Sequence, residues 1–258
     1  MLIDDPLWPR ADAWLAAAAD LPDLALVGVP SSAASLTPSE AWRTPGRFRK
    51  VLGGFSTFDG ERGIELEGLR IADLGDWSVT GLDMTDSQRV IEREAKRLPP
   101  GPVHAFVGGD NAITRPLIKG LCGGDLGRVG VLTLDAHHDV RSLDAGPTNG
   151  TPIRGLIEDG LPDGRVVQVG IHSFANSRAY REYCEEHGVR AITMRQVDEL
   201  GADPAVAAAL DELGQACDWI FVDFDIDVLD RAFAPACPGS RPGGMTPRQL
   251  AAAAWVCG

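Results

Sequence analysis

Two rhythms of apolar and polar positions alternate along the chain. Uninterrupted apolar runs recur between turn residues at positions 24–29, 103–107, 129–134, 166–170 and 219–224, with weaker runs at 70–73 and 191–193. Runs that are apolar on both faces suit central strands of a parallel sheet covered by helices on each side. Between them, positions 86–98, 113–121, 176–187 and 204–215 carry amphipathic patterns of helical period. Strands alternating with helices over this length predict an α/β fold, a three-layer sandwich with a central, mostly parallel sheet flanked by helices. No repeat, low-complexity segment or linker divides the chain, so residues 1–258 read as a single domain. Positions 31–60, rich in Ser, Pro and Gly, predict a long functional loop with a short helix. Thr246 and Pro247 form a good helix start, cap then first helical residue. The helix they open has no strand after it to pack on, so the domain is expected to lack its C-terminal part.

Composition narrows the class. With 24 basic and 37 acidic residues the net charge is −13. That balance argues against nucleic acid or an anionic membrane as partner, because phosphates call for a basic stripe. No run approaches the roughly 18 apolar residues of a membrane span. The N-terminal stretch has acids where a secretory leader has basic residues. Five scattered cysteines without a CxxC pair read as reduced thiols. A cytoplasmic protein is the expectation.

Ligand sites in open α/β sheets gather where strands end. Three polar clusters follow apolar runs: Gly108-Gly109-Asp110-Asn111, Asp135-Ala136-His137-His138-Asp139, and Asp223-Phe224-Asp225-Ile226-Asp227 with Asp230 close behind. Carboxylates gathered in a crevice repel one another and lose hydration. Two divalent cations would cancel the charge of Asp135, Asp139, Asp225 and Asp227. Oxygen-rich ligands with one imidazole favour Mn2+ over metals that prefer thiolates. The glycines of the first cluster lack phosphate-loop spacing.

The segments VGGDN, LDAHHDVR and VDFDIDVLDRAFAPACPGSRPGGMTPRQL resemble the signature blocks of the ureohydrolase family, which includes arginase, agmatinase and formimidoylglutamase. The resemblance runs from about Leu24 to the end of the chain. It implies a dinuclear Mn2+ site, two ions per subunit, with Asp135 and Asp225 bridging. Asn111 and Asp139 then belong to the first metal, and His137 and Asp227 to the second. It further implies hydrolysis of an amidine or guanidine carbon by a hydroxide held between the metals, and assembly as a homo-oligomer, a trimer or hexamer. The stretch GIHSFANSRAYREYCEEHGVRAIT resembles formimidoylglutamases more than arginases, and the small-molecule substrate of formimidoylglutamases is N-formimidoyl-L-glutamate. Agmatine-like or guanidino-acid substrates, or a catalytically weak binding protein, are the alternatives.

Departures from the family pattern carry their own expectations. Asn111 stands where the family has a histidine, so the first metal site should be the weaker. His138 is offset by one residue from a ligand position and makes a poor replacement. Asn149 occupies the catalytic-loop position at which arginases carry a proton-shuttling histidine, and asparagine exchanges no proton near neutral pH. A dicarboxylate substrate needs cations, and guanidinium groups bind carboxylates in bidentate fashion. Arg141 and Arg154 are the substrate-binding candidates, with His172 at the sheet rim; Arg43 and Arg47 are weaker ones. His104 reads as a core histidine and His187 as a solvated one. Asn176 is either the cap of the following helix or a substrate contact.

Overall fold

The computed structural model describes residues 5–17 and 19–258. Residues 1–4, part of the acidic N-terminal stretch, lie outside it. Among the described residues nine strands occur in the order β1 (Leu24–Val29), β2 (Phe58–Asp59), β3 (Ile64–Glu65), β4 (Ile71–Asp76), β5 (Val103–Gly108), β6 (Val129–Leu134), β7 (Val166–Ile171), β8 (Arg190–Thr193) and β9 (Trp219–Phe224). The helices are α1 (Ala11–Ala16), α2 (Thr44–Leu52), α3 (Met84–Ala95), α4 (Thr114–Leu121), α5 (Pro152–Glu158), α6 (Arg178–Glu186), α7 (Met194–Leu200), α8 (Ala202–Gly214) and α9 (Pro247–Val256).

All strands except the β2–β3 hairpin pair in parallel. Their hydrogen bonds link three strands in the order β4-β1-β5, and four in the order β8-β7-β6-β9. Among the described residues β5 and β9 each pair on one side only. Their exposure follows from this: every residue of β6 and β7 is buried, whereas β5 and β9 are half-buried and Val103 is 68% exposed.

Alternate residues of each central strand feed opposite cores, as the pleat requires. Val27 and Val29 pack with Ile91 and Leu117 of α3 and α4, while Leu26 packs with Leu15 and Leu52 of α1 and α2. In the second sheet Leu132 and Leu134 face α7–α9, and Val129 and Val131 face α4–α6. Helices therefore cover both faces. Phe221 of β9 packs into the α3–α4 core as well as its own, joining the two sheets. The strands run in one direction, so their C-terminal ends and the polar loops after them share one rim. The expected 31–60 loop holds α2 and begins the β2–β3 hairpin. No helix among the described residues is long and apolar enough to cross a membrane, and all five cysteines are free thiols.

Candidate metal centre

The loop after β6 carries Asp135, His137 and Asp139. The turn after β9 carries Asp225 and Asp227, and the turn after β5 carries Asn111. The structure brings these residues together. Donor atoms of Asp135, His137 and Asp227 lie within 4.8 Å of one another, as do those of Asp225, Asp227 and Cys237. Asn111 Nδ2 donates to Asp139 Oδ2 at 2.7 Å.

The local backbone explains why these types occupy these positions. Asp225 caps a short 3-10 turn (Ile226–Val228) by accepting from Asp227 N. Asp227 Oδ1 in turn accepts from Ala136 N at 3.1 Å, clamping the β6 loop to the β9 turn. Asp139 adopts the left-handed region with φ 53°, a conformation Asp tolerates better than most residues. Its carbonyl accepts from Ile153 N and Arg154 N at the start of α5, which fixes that turn. Gly109 is required by close approach: a Cβ there would stand 1.6 Å from Ser31 O. Asp110, buried beside it, accepts from Ala34 N and Ser35 Oγ and ties down the long loop.

The electrostatics suit a cation. Burial, then repulsion from Asp139 and Asp227, pushes Asp135 well above the usual carboxylate range. Burial and neighbouring aspartates do the same for Asp139 and Asp225. Burial alone would lower the His137 imidazole, but Asp135 and Asp227 outweigh it and push it up to about 11. His137 Nδ1 lies 2.9 Å from Asp227 Oδ2, and this partner holds Asp227 below its ordinary value against the effect of burial. Asp223, the other carboxylate of the β9 cluster, is pushed up to about 6 by burial. Divalent ions would balance these charges better than protons. Gly239 leaves the room they need, since a Cβ there would fall 2.2 Å from Asp227 Oδ2. The donor set, mostly carboxylate oxygen with one imidazole, fits hard or borderline divalent metals such as Mn2+.

Other candidates have different surroundings. His138 turns into the core, where Nδ1 meets Gln168 Oε1 at 2.7 Å, so it does not substitute for Asn111. His172 is 4% exposed, with Nε2 on Val228 O at 3.2 Å and no partner for Nδ1. Asn149 holds the long loop, accepting from Leu36 N at 2.9 Å and donating its own N–H to Ala34 O. Arg141 is exposed, its guanidinium 6.0 Å from the Tyr180 ring. Arg154 pairs with Glu158 at 2.7 Å and lies over Tyr183, which leaves it less free than Arg141. Arg43 and Arg47 line a separate cleft of about 800 Å³ with Trp42 and Trp77. His104 stacks on Phe106, and His187 bonds Asp163 at the surface.

Asn176 is not the helix cap. Ser177 caps α6, accepting from Tyr180 N. Asn176 instead accepts from His138 N at 2.9 Å and donates to Ala136 O at 3.0 Å, bracing the loop that carries three candidate ligands. The demand of the neighbouring loop takes the Asn176 side chain and leaves the cap to the next residue. Asn176→Ala should destabilise the fold by about 2–4 kcal/mol, since it strands two backbone groups; the denaturant midpoint measures this, and an unchanged midpoint would show the brace to be dispensable.

Parallel strands ending at one rim in a buried cluster of Asp and His define an arginase-like architecture. The chain belongs to the arginase family, whose profile matches residues 22–256. It is 41% identical over 225 residues to formimidoylglutamase of Halalkalibacterium halodurans, an alignment covering 85% of this chain and 70% of that protein. The crystal structure of formimidoylglutamase from Bacillus subtilis superposes with a TM-score of 0.90 at 35% identity, covering 98% of this chain and 81% of that one. Trypanosoma cruzi formiminoglutamase with Mn2+2 shares the fold at 24% identity, with a TM-score of 0.86 and coverage of 96% and 85%.

Proposed function

We propose that this chain is a Mn2+-dependent formimidoylglutamase, hydrolysing N-formimidoyl-L-glutamate to L-glutamate and formamide. The observation that carries the reading is the convergence of Asn111, Asp135, His137, Asp139, Asp225 and Asp227 at one sheet rim. Identity to named formimidoylglutamases supports the choice of substrate. Asp135 and Asp225 would bridge two metals, Asn111 and Asp139 would complete the first site, and His137 and Asp227 the second. Two bound cations would supply Lewis acidity and lower the pKa of water toward neutrality.

The chain's own groups do the rest. The Asp227–Ala136 clamp and the Asn176 brace hold the donors in place, which limits reorganisation on metal binding. His137 must shed the proton it shares with Asp227 before it can ligate, so metal uptake releases protons. Neither Asn111 nor Asn149 can protonate the departing glutamate nitrogen. Arg141, which has no carboxylate partner among the described residues, is the group for the substrate carboxylates.

The test is formamide release by the Mn2+-loaded protein, with agmatine and 3-guanidinopropionate as competing substrates. Preference for formimidoylglutamate supports the reading; preference for agmatine, a cation, overturns it. Arg141→Ala should lower kcat/KM roughly 10- to 100-fold, the worth of one charged hydrogen bond, chiefly through KM. An equal loss with a neutral analogue lacking the carboxylates would exclude that role.

A further inference from the structure

Thr114, the first residue of α4, is 2% exposed and stands between two acceptors. Its Oγ1 lies 2.7 Å from Asp223 Oδ2 and 2.9 Å from Asn111 Oδ1. A hydroxyl carries one hydrogen, so it can serve only one of these oxygens at a time. At its other end the Asn111 amide donates Nδ2 to Asp139 Oδ2 at 2.7 Å. In this orientation the amide oxygen faces Thr114 and is unavailable to a cation held by Asp139.

The two ends of a carboxamide are nearly isosteric, so turning it end for end moves no other atom. Oδ1 then faces the Asp139 carboxylate, an arrangement that repels unless a cation stands between them. Nδ2 faces Thr114 and needs an acceptor there. Thr114 becomes that acceptor when it gives its hydrogen to Asp223. A carboxylate at 223 suits this because it takes the hydrogen and returns none. Asp223 is two residues before Asp225 in extended chain, so one strand end sends both groups to the same side.

The geometry points to Thr114 and Asp223 as positioning residues that orient the Asn111 amide, turning its oxygen toward the first metal. This rests on the reading of Asn111 as a ligand. An imidazole needs little such help, whereas an asparagine binds a cation through one end only. The Thr114–Asp223 pair is what suits an asparagine to that position.

The experiment is a stepwise Mn2+ titration of metal-free protein, followed by the spectroscopic signal of free Mn2+. Thr114→Val should weaken the weaker of two binding steps about 10- to 100-fold and leave the tighter one unchanged, the range typical of groups that orient a ligand. Thr114→Ser should restore it. In an Asn111→Ala background, Thr114→Val should add no further loss. Wild-type titration by Thr114→Val, with one step weakened by Asn111→Ala, would overturn the positioning role and leave the ligand reading intact. Asn111→Ala without effect on either step would overturn both. Should Thr114→Val fail to fold, Asp223→Asn takes its place, because an amide can return a hydrogen to Thr114; a folded Asp223→Asn with both steps unchanged overturns the proposal.

Discussion

Asparagine at position 135 or 225 is expected to leave the protein without tightly held metal at either site. Each substitution keeps the side chain's shape and removes one charge from a carboxylate that would touch both ions. The same substitution should have the opposite effect on the metal-free fold. Asp225 is held far above its ordinary value by burial and by the charges of Asp227 and Asp135, so neutralising it relieves repulsion. Asp225→Asn should therefore melt higher than the parent when both are metal-free, and lower when both are given excess Mn2+. Elemental analysis and paired thermal melts check the two halves of this expectation. Two equivalents of retained metal in either variant would sink the bridging assignment.

Stabilisation by Mn2+ should grow steeply with pH. Without metal, Asp135, Asp139 and Asp225 are raised above the unfolded carboxylate value of about 4. Between those two values the folded state binds more protons than the unfolded state, so their contribution falls as pH rises. His137, raised to about 11, acts in the same direction, since its contribution is full below about 6.5 and is lost as pH climbs through 11. Asp227, lowered by its His137 partner, contributes stability that is present above about pH 4. Metal binds the deprotonated donors and so opposes the decline. At 100-fold excess over the dissociation constant, each site contributes about 2.7 kcal/mol. Two filled sites correspond to a shift in Tm on the order of 10 °C at pH 8, shrinking toward zero near pH 5. A shift independent of pH between 5.5 and 8 would contradict the coupling.

Much of the scaffold was legible from the chain because apolar runs ended abruptly at polar turns. The runs at 24–29, 129–134 and 219–224 became strands with the same limits. The run at 70–73 extends to Asp76, because pairing with β1 carries it through the polar Asp73 and Asp76. The β2–β3 hairpin has strands too short to show a period. Helix α7 follows β8 without a loop, so no break marked it. Its capping box, Thr193 with Gln196, was the available signal. The polar clusters after β6 and β9 meet at Asp135, His137 and Asp227. Their supports were harder to see: Thr114 meets Asp223 across 109 positions, and Asn176 reaches back 38 to His138. Such contacts depend on which strands become neighbours, which spacing along a chain does not encode. The break between β5 and β9 is of the same kind, since both runs read simply as buried strands.

That break bears on how the molecule assembles in time. The β4-β1-β5 sheet draws only on residues before 109, and the other sheet only on residues after 128. Each part of the chain therefore closes its own strands, which favours separate cooperative units. The polar contacts from Asn111 to Asp139 and from Thr114 to Asp223 cross between the halves. A cation shared by Asn111 and the aspartates would work as a staple across that seam. Amide hydrogen exchange should then show two protection levels in metal-free protein, with β1 and β6 exchanging through different openings. Mn2+ should merge them into one. Metal occupancy would thus report whether the groups before residue 115 and those after residue 134 have come together.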